Sequence, residues 1–204
     1  KTYVQSGSVT SLNDLSDVLV KTGSSNEVSY YIGNIPANIS GANHNYAIGN
    51  NALDALTTGD YNLAIGYNAL KLNDTGTANT ALGYDALSVN TQGIRNVAVG
   101  AETLEGNTTG QDNTAVGNVA LTRNQSGSYN TAIGSDALRK VTIGDFNTAL
   151  GEGSLRSNTE GSYNVGLGGY ALAGNTVGEE NIAAGRCALQ YALSGDYNIA
   201  LGTT

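Results

Sequence analysis

The stretch Asn130-Thr131-Ala132-Ile133-Gly134-Ser135-Asp136-Ala137-Leu138 decides the fold, because it returns along the chain at one fixed interval. Its opening motif, Asn-x-Ala-apolar-Gly, begins at Asn45, Asn62, Asn79, Asn96, Asn113, Asn130, Asn147, Asn164, Asn181 and Asn198, each 17 residues after the last. Ala holds the third place in every copy but one, where Gly166 stands instead. The fifth place is always Gly, as at Gly66, Gly83, Gly100, Gly117 and Gly134. Four residues later comes a Leu, from Leu53 through to Leu189, and a second Gly precedes the next Asn by three residues, as at Gly59, Gly76 and Gly93. Self-similarity at such a period marks an architecture of stacked units, none of which buries a core alone.

Each unit reads as strand, Gly turn, short apolar segment, polar turn and second Gly turn, which is one coil of an all-β parallel β-solenoid. Two Gly per coil at fixed phase are expected at the corners, where positive φ is easiest for Gly. Within the five-residue segment successive side chains alternate between faces. Asn, Ala and Gly share one face; the second and fourth residues, such as Thr131 with Ile133, share the other. The more apolar face is expected inside the coil against the repeated Leu. The small face, with Ala64, Ala81, Ala115 and Ala132, is then free to pack closely on another chain. The Asn column, including Asn62, Asn79, Asn96, Asn113 and Asn130, is expected to form a ladder of amides along the axis, about 4.8 Å apart.

This organisation divides the chain into residues 1–28, a connector without repeats, residues 29–44, a capping coil, and residues 45–204, ten coils forming a rod about 45 to 50 Å long. The cap is read from Ser29-Tyr30-Tyr31-Ile32-Gly33-Asn34, a degraded copy one residue out of phase, with Pro36 where an alanine would fall. The absence of Met implies that Lys1 is not a translational start.

Composition narrows the function. Only 13% of residues are charged and the net charge is −8, which argues against nucleic acid, whose recognition needs a basic face. No run approaches the length of apolar residues that spans a bilayer, and no charged segment precedes an apolar one as in a signal peptide. Cys187 is the sole cysteine, so no intrachain disulfide forms. It shares a column with Asn51, Asn68, Asp85, Glu102 and Asp136, and despite Val119 and Tyr170 in that column it is expected to be mostly exposed and without function.

The repeat resembles the head repeats of trimeric autotransporter adhesins, and similar repeats occur in bacteriophage tail fibres. The resemblance covers residues 45–204. It implies a left-handed parallel β-roll, three chains about one axis, displayed on a virion or bacterial surface. Asp14-Leu15-Ser16-Asp17 looks more like tail-fibre connectors, which favours a phage fibre that presents or contributes to host attachment over a bacterial adhesin head binding glycan or host surface. The coil is longer than that of the adhesin heads. The implied partners are two further copies of the chain, other fibre proteins and a cell-surface glycan or receptor.

Enzymatic readings find little to rest on. Hexapeptide-repeat acyltransferases also form a β-helix, but 17 is not a multiple of six, and the only histidine, His44, shows no positioned partner for general-base work. No calcium-type Gly-Gly-x-Gly-x-Asp repeat, zinc-type Cys/His spacing or phosphate loop occurs, so no metal or cofactor is expected. Asp60, Asp145 and Asp196 follow corner glycines and are read as turn residues. Gly166, Gly168 and Gly169 fall inside the repeat and form no dinucleotide fingerprint.

Two surface readings remain. Tyr129, Phe146 and Tyr163 fall on successive coils and should stack into a short aromatic strip, which either receives sugar rings or simply covers the corner. An ice-binding face would need a regular Thr array, yet Thr follows the motif Asn only at Thr80, Thr114, Thr131 and Thr148.

Overall fold

A computed structural model of the chain describes residues 18–22, 28–33 and 41–203. The described residues form twelve strands and no helix. The Asp14–Asp17 motif and Pro36 lie outside them. Strand β1 (Val18–Thr22) pairs antiparallel with β2 (Val28–Gly33), a hairpin that sequence periodicity does not signal. Every later pairing is parallel, and sheet order equals chain order. The strands β3 (Tyr46–Gly49), β4 (Leu63–Ile65), β5 (Thr80–Leu82), β6 (Val97–Val99), β7 (Thr114–Val116), β8 (Thr131–Ile133), β9 (Thr148–Leu150), β10 (Val165–Leu167), β11 (Ile182–Ala184) and β12 (Ile199–Leu201) are the ten copies of the motif. From β3 onward each residue pairs with its equivalent 17 positions on, as in Ala115 with Ala132. The protein is thus a parallel β-solenoid with one coil per repeat.

The one-residue phase offset of β2 shows directly in its pairing. Tyr30 of β2 pairs with Tyr46, 16 residues away, and Tyr31 occupies the place of the column alanine. Tyr31 is fully buried, and burial pushes its phenol above the ordinary range. Ser29 Oγ accepts the Asn45 amide N–H at 3.0 Å, the role that an Asn side chain plays in every later coil.

The faces of the strand are the reverse of the expectation. Ala64, Ala81, Ala115 and Ala132 have no exposed surface at all, whereas Ile48, Leu82, Ile133 and Leu150 are 40 to 49% exposed. The interior holds the Asn and Ala of each strand, packed against the repeated Leu and the Ala that precedes it. The physical reason lies in the narrow coil and the alternation of a strand. The Asn amide has partners only among carbonyls inside, so the Asn turns inward, and the residue two places on must follow it. Opposite a buried Leu there is then room only for Ala. The alanines therefore belong to the core of a single chain and are not the surface on which another chain could pack.

The one departure in the Ala column has a local cause. A Cβ on Gly166 would collide with Ser154 Oγ, which stands where most coils have the alanine preceding Leu. Ser154 is fully buried and its hydroxyl donates to the Gly166 carbonyl at 2.9 Å. A larger residue on one wall is matched by a smaller one on the other, as close packing requires.

Two inward ladders of asparagine hold the coils in register. In the first, Asn113 donates its backbone N–H to Asn96 Oδ1 at 3.0 Å and its side-chain amide to the same oxygen at 3.1 Å, while the second amide hydrogen goes to the Gly127 carbonyl at 2.8 Å. The second ladder, which the motif reading missed, runs through Asn73, Asn90, Asn107 and Asn124, then Asn158 and Asn175. Asn107 donates to Asn90 Oδ1 at 2.7 Å, and Asn124 to Asn107 Oδ1 at 2.9 Å. Asn124 also donates to the Gly127 carbonyl at 2.8 Å, so both ladders converge on one glycine per coil. Networks of this kind, satisfied wherever the Asn column is unbroken, specify register more sharply than apolar contact alone.

That convergence corrects the reading of the second glycine. Gly66, Gly83 and Gly100 at the end of the strand do have φ of 133 to 148°, but Gly76, Gly93 and Gly110 are not in the left-handed region. They are Gly because a side chain there would strike an Asn side chain of the second ladder and the carbonyl of the next coil. The left-handed turns are made largely by other residues, including the buried Leu column, where Leu121 has φ 51° and Leu138 φ 50°. A Leu in that region costs roughly 1 to 2 kcal/mol locally, which its burial offsets.

Candidate interaction surfaces

The outward residues of β3–β12 form two parallel columns along the rod. One runs Tyr46, Leu63, Thr80, Val97, Thr114, Thr131, Thr148, Val165, Ile182 and Ile199; the other Ile48, Ile65, Leu82, Val99, Val116, Ile133, Leu150, Leu167, Ala184 and Leu201. None of them is charged. At about 4.8 Å per strand and two side chains across, the strip measures on the order of 450 Å², the size of the largest apolar patch on a typical monomer. Scattered exposed aliphatics need no explanation, but a continuous row of them does.

Beside this strip, the column preceding the motif Asn carries rings and charges on every coil but that of Ala78. Tyr129, Phe146 and Tyr163 stack as their spacing predicts, with centroids 4.7 and 5.1 Å apart and planes within 5° of parallel. The same geometry covers both faces of Phe146 and one face each of Tyr129 and Tyr163. A sugar ring stacks on an aromatic face, so the strip offers a ligand ring edges along its length rather than a platform. His44 is absorbed in the same way, stacked on Tyr61 at 4.7 Å with planes 3° apart. Arg95 and Asp112 fill two further coils with a two-pronged ion pair, Nε to Oδ1 and Nη2 to Oδ2 each at 2.7 Å. The Arg95 fork holds the Asp112 carboxyl below the usual carboxylate range.

The other singled-out residues find structural partners. Asp60, Asp145 and Asp196 each accept a backbone N–H from the preceding coil, of Asn43, Ser128 and Glu179 at 2.7, 2.7 and 2.8 Å. Cys187 is half-buried at φ 61°, less exposed than its column suggested. Among the described residues no three His, Cys, Asp or Glu side chains gather as a metal site would need, and no helix is long and apolar enough to cross a membrane.

Fold and surface together define a class, the parallel β-solenoid repeat proteins. Compared with protein-family models, curated proteins and solved structures, the chain matches none.

Proposed function

We propose that this chain is a segment of a homotrimeric surface fibre, of the phage tail-fibre kind, that spaces or presents a host-attachment end. The observation that carries the reading is the uncharged outward face of β3–β12, aliphatic in one whole column and continuous over ten coils. A flat strip of that kind is stabilised by covering it, and a second and third copy of the same rod present a strip of equal length and pitch. Threefold closure satisfies all three copies and leaves no open end for further association. Threefold number comes from the resemblance of the repeat to trimeric heads and fibres. Polar, weakly charged outer walls and the register-locking Asn ladders suit a stiff spacer.

Sedimentation equilibrium tests this. The wild type should have about three times the 20.8 kDa chain mass. Ile133→Asp with Leu150→Asp places two charges on the strip and should give folded monomers. A monomeric wild type would sink the reading. The outward line of Thr114, Thr131 and Thr148 beside Val116, Ile133 and Leu150 favours a second reading, an ice-binding face. A monomer that arrests ice growth would establish that reading instead.

A further inference from the structure

The column Ala55, Leu72, Val89, Gly106, Arg123, Lys140, Ser157, Gly174, Tyr191 lies outside the strands and lacks a side chain on two coils. Gly106 and Gly174 each line a notch in the solenoid wall, of about 530 and 270 Å³. Neither glycine is left-handed. A Cβ would lie 2.7 Å from the Thr122 carbonyl oxygen in the first and 2.6 Å from that of Gln190 in the second. Close approach of the next coil therefore goes with each notch.

Of the residues that line the Gly174 notch only Arg156 is charged. Arg156, Ser157, Tyr170, Gln190 and Tyr191 surround it. Tyr170 is held in place: its ring lies over Gly153, where a Cβ would come within 2.8 Å of it, and its hydroxyl donates to Glu152 Oε1 at 2.8 Å. Tyr191 is 85% exposed and has an open ring face. Arg156 forms no ion pair among the described residues. By contrast, the Gly106 notch sets Arg123 and Glu105 around one space, so its rim already contains opposite charges.

An open aromatic face beside an uncommitted guanidinium, an amide and a hydroxyl matches a sugar ring that carries a carboxylate. The C–H face of the sugar packs on the tyrosine. The carboxylate takes the planar guanidinium fork, and the ring hydroxyls pair with Gln190 and Ser157. At about 270 Å³ the notch lies just under the usual range of ligand pockets, about 300 Å³ upward, so it has room for one sugar residue at most and not for a chain. We propose that the notch at Gly174 binds a single acidic sugar, the terminal residue of an anionic glycan. The proposal rests on the attachment reading for its biological setting alone, since none of these residues lies on the outward sheet face.

Calorimetry and saturation-transfer NMR on the whole chain test it, with methyl glucuronide, N-acetylneuraminate and the neutral methyl glucoside as probes. At least one acid should bind saturably, and the glucoside about tenfold or more weakly. Arg156→Gln and Tyr191→Ala should each lose about tenfold in affinity with the thermal midpoint unchanged, and Arg156→Lys should lose less. Arg123→Gln, in the other notch, should bind like the wild type. The proposal is overturned if neither acid binds, if the glucoside binds as well as the acids, or if Arg156→Gln keeps wild-type affinity. Sedimentation of the same samples separates the two readings: acid binding by a monomer leaves the notch standing without the fibre, and a trimer that binds no acid does the reverse.

Discussion

Asn124 Oδ1 is buried without a hydrogen-bond partner because Val141, the next residue of its column, carries no amide. The relationship recurs at Asn175, whose oxygen is likewise unpartnered and whose successor is Ala192. Wherever the ladder is unbroken, as from Asn90 to Asn107, the same oxygen accepts an amide hydrogen from the coil above.

Val141→Asn should close that gap. The new amide would donate to Asn124 Oδ1, and its oxygen would accept from Asn158, whose side chain now donates only to the Gly161 carbonyl. Removing one buried orphan acceptor is worth about 1 to 3 kcal/mol. The urea midpoint should therefore rise. An unchanged or lower midpoint would show that Val141 contributes more by apolar packing than the ladder gains.

Gly166 and Ser154 should behave as a coupled pair. Gly166→Ala alone drives a methyl group into the Ser154 hydroxyl and should destabilise by about 1 to 3 kcal/mol, as overpacking does. Adding Ser154→Ala restores the Ala-against-Ala wall of the other coils and should recover most of the loss. A double-mutant cycle by chemical denaturation gives the coupling directly. Additive effects would mean that the two residues do not share the space.

Much of this was legible from the period alone, because the repeat fixes strand phase, pairing and register together. The Asn ladder followed from stacking identical residues. What the pattern did not decide was which face of the strand turns inward, since binary patterning favours the more apolar face and here the inward face carries Asn and Ala. The signal lay in variability between coils: Asn45 to Asn198 and their alanines scarcely vary, as a narrow interior demands, whereas the outward places range over Thr, Val, Ile, Leu and Tyr. The second ladder, from Asn73 to Asn175, was equally periodic but interrupted at Val141, which obscured it. The notches were not legible, because an isolated Gly in a Gly-rich chain does not reveal that the wall opens there.

Two carboxyls should move stability in opposite directions with pH. Burial, with Glu102 and Asp85 nearby, raises the Glu105 carboxyl above its ordinary value. Its folded form therefore prefers the proton, and Glu105→Gln should be more stable than the wild type at neutral pH. That advantage should fade as pH falls through the raised value and vanish below the unfolded carboxyl range, about 4.3. Asp112 is depressed by its hydrogen bond to Arg95, so Asp112→Asn should lose stability at neutral pH. Its deficit should persist below about 3.9 and disappear only as the folded carboxyl itself takes up its proton. Both pairs of curves come from thermal melts across pH, and parallel curves would contradict the assignment.

Ala115→Leu with Ala132→Leu separates core from surface. Both alanines are fully buried within one chain, on adjacent paired strands β7 and β8. Two larger side chains there would press against the Leu column on the far wall, and overpacking typically costs about 1 to 3 kcal/mol per site. Coils are stabilised by their neighbours, so two damaged neighbours should melt together and weaken the coils on either side. The expected result is a lower thermal midpoint with a broadened transition, at any protein concentration. Ile133→Asp with Leu150→Asp should act differently, because those side chains point outward from β8 and β9. That variant should keep its strand signal by circular dichroism at low concentration while its sedimenting mass falls. Loss of mass without loss of fold in the alanine variant would place the alanines at an interface between chains and overturn the inward face described above.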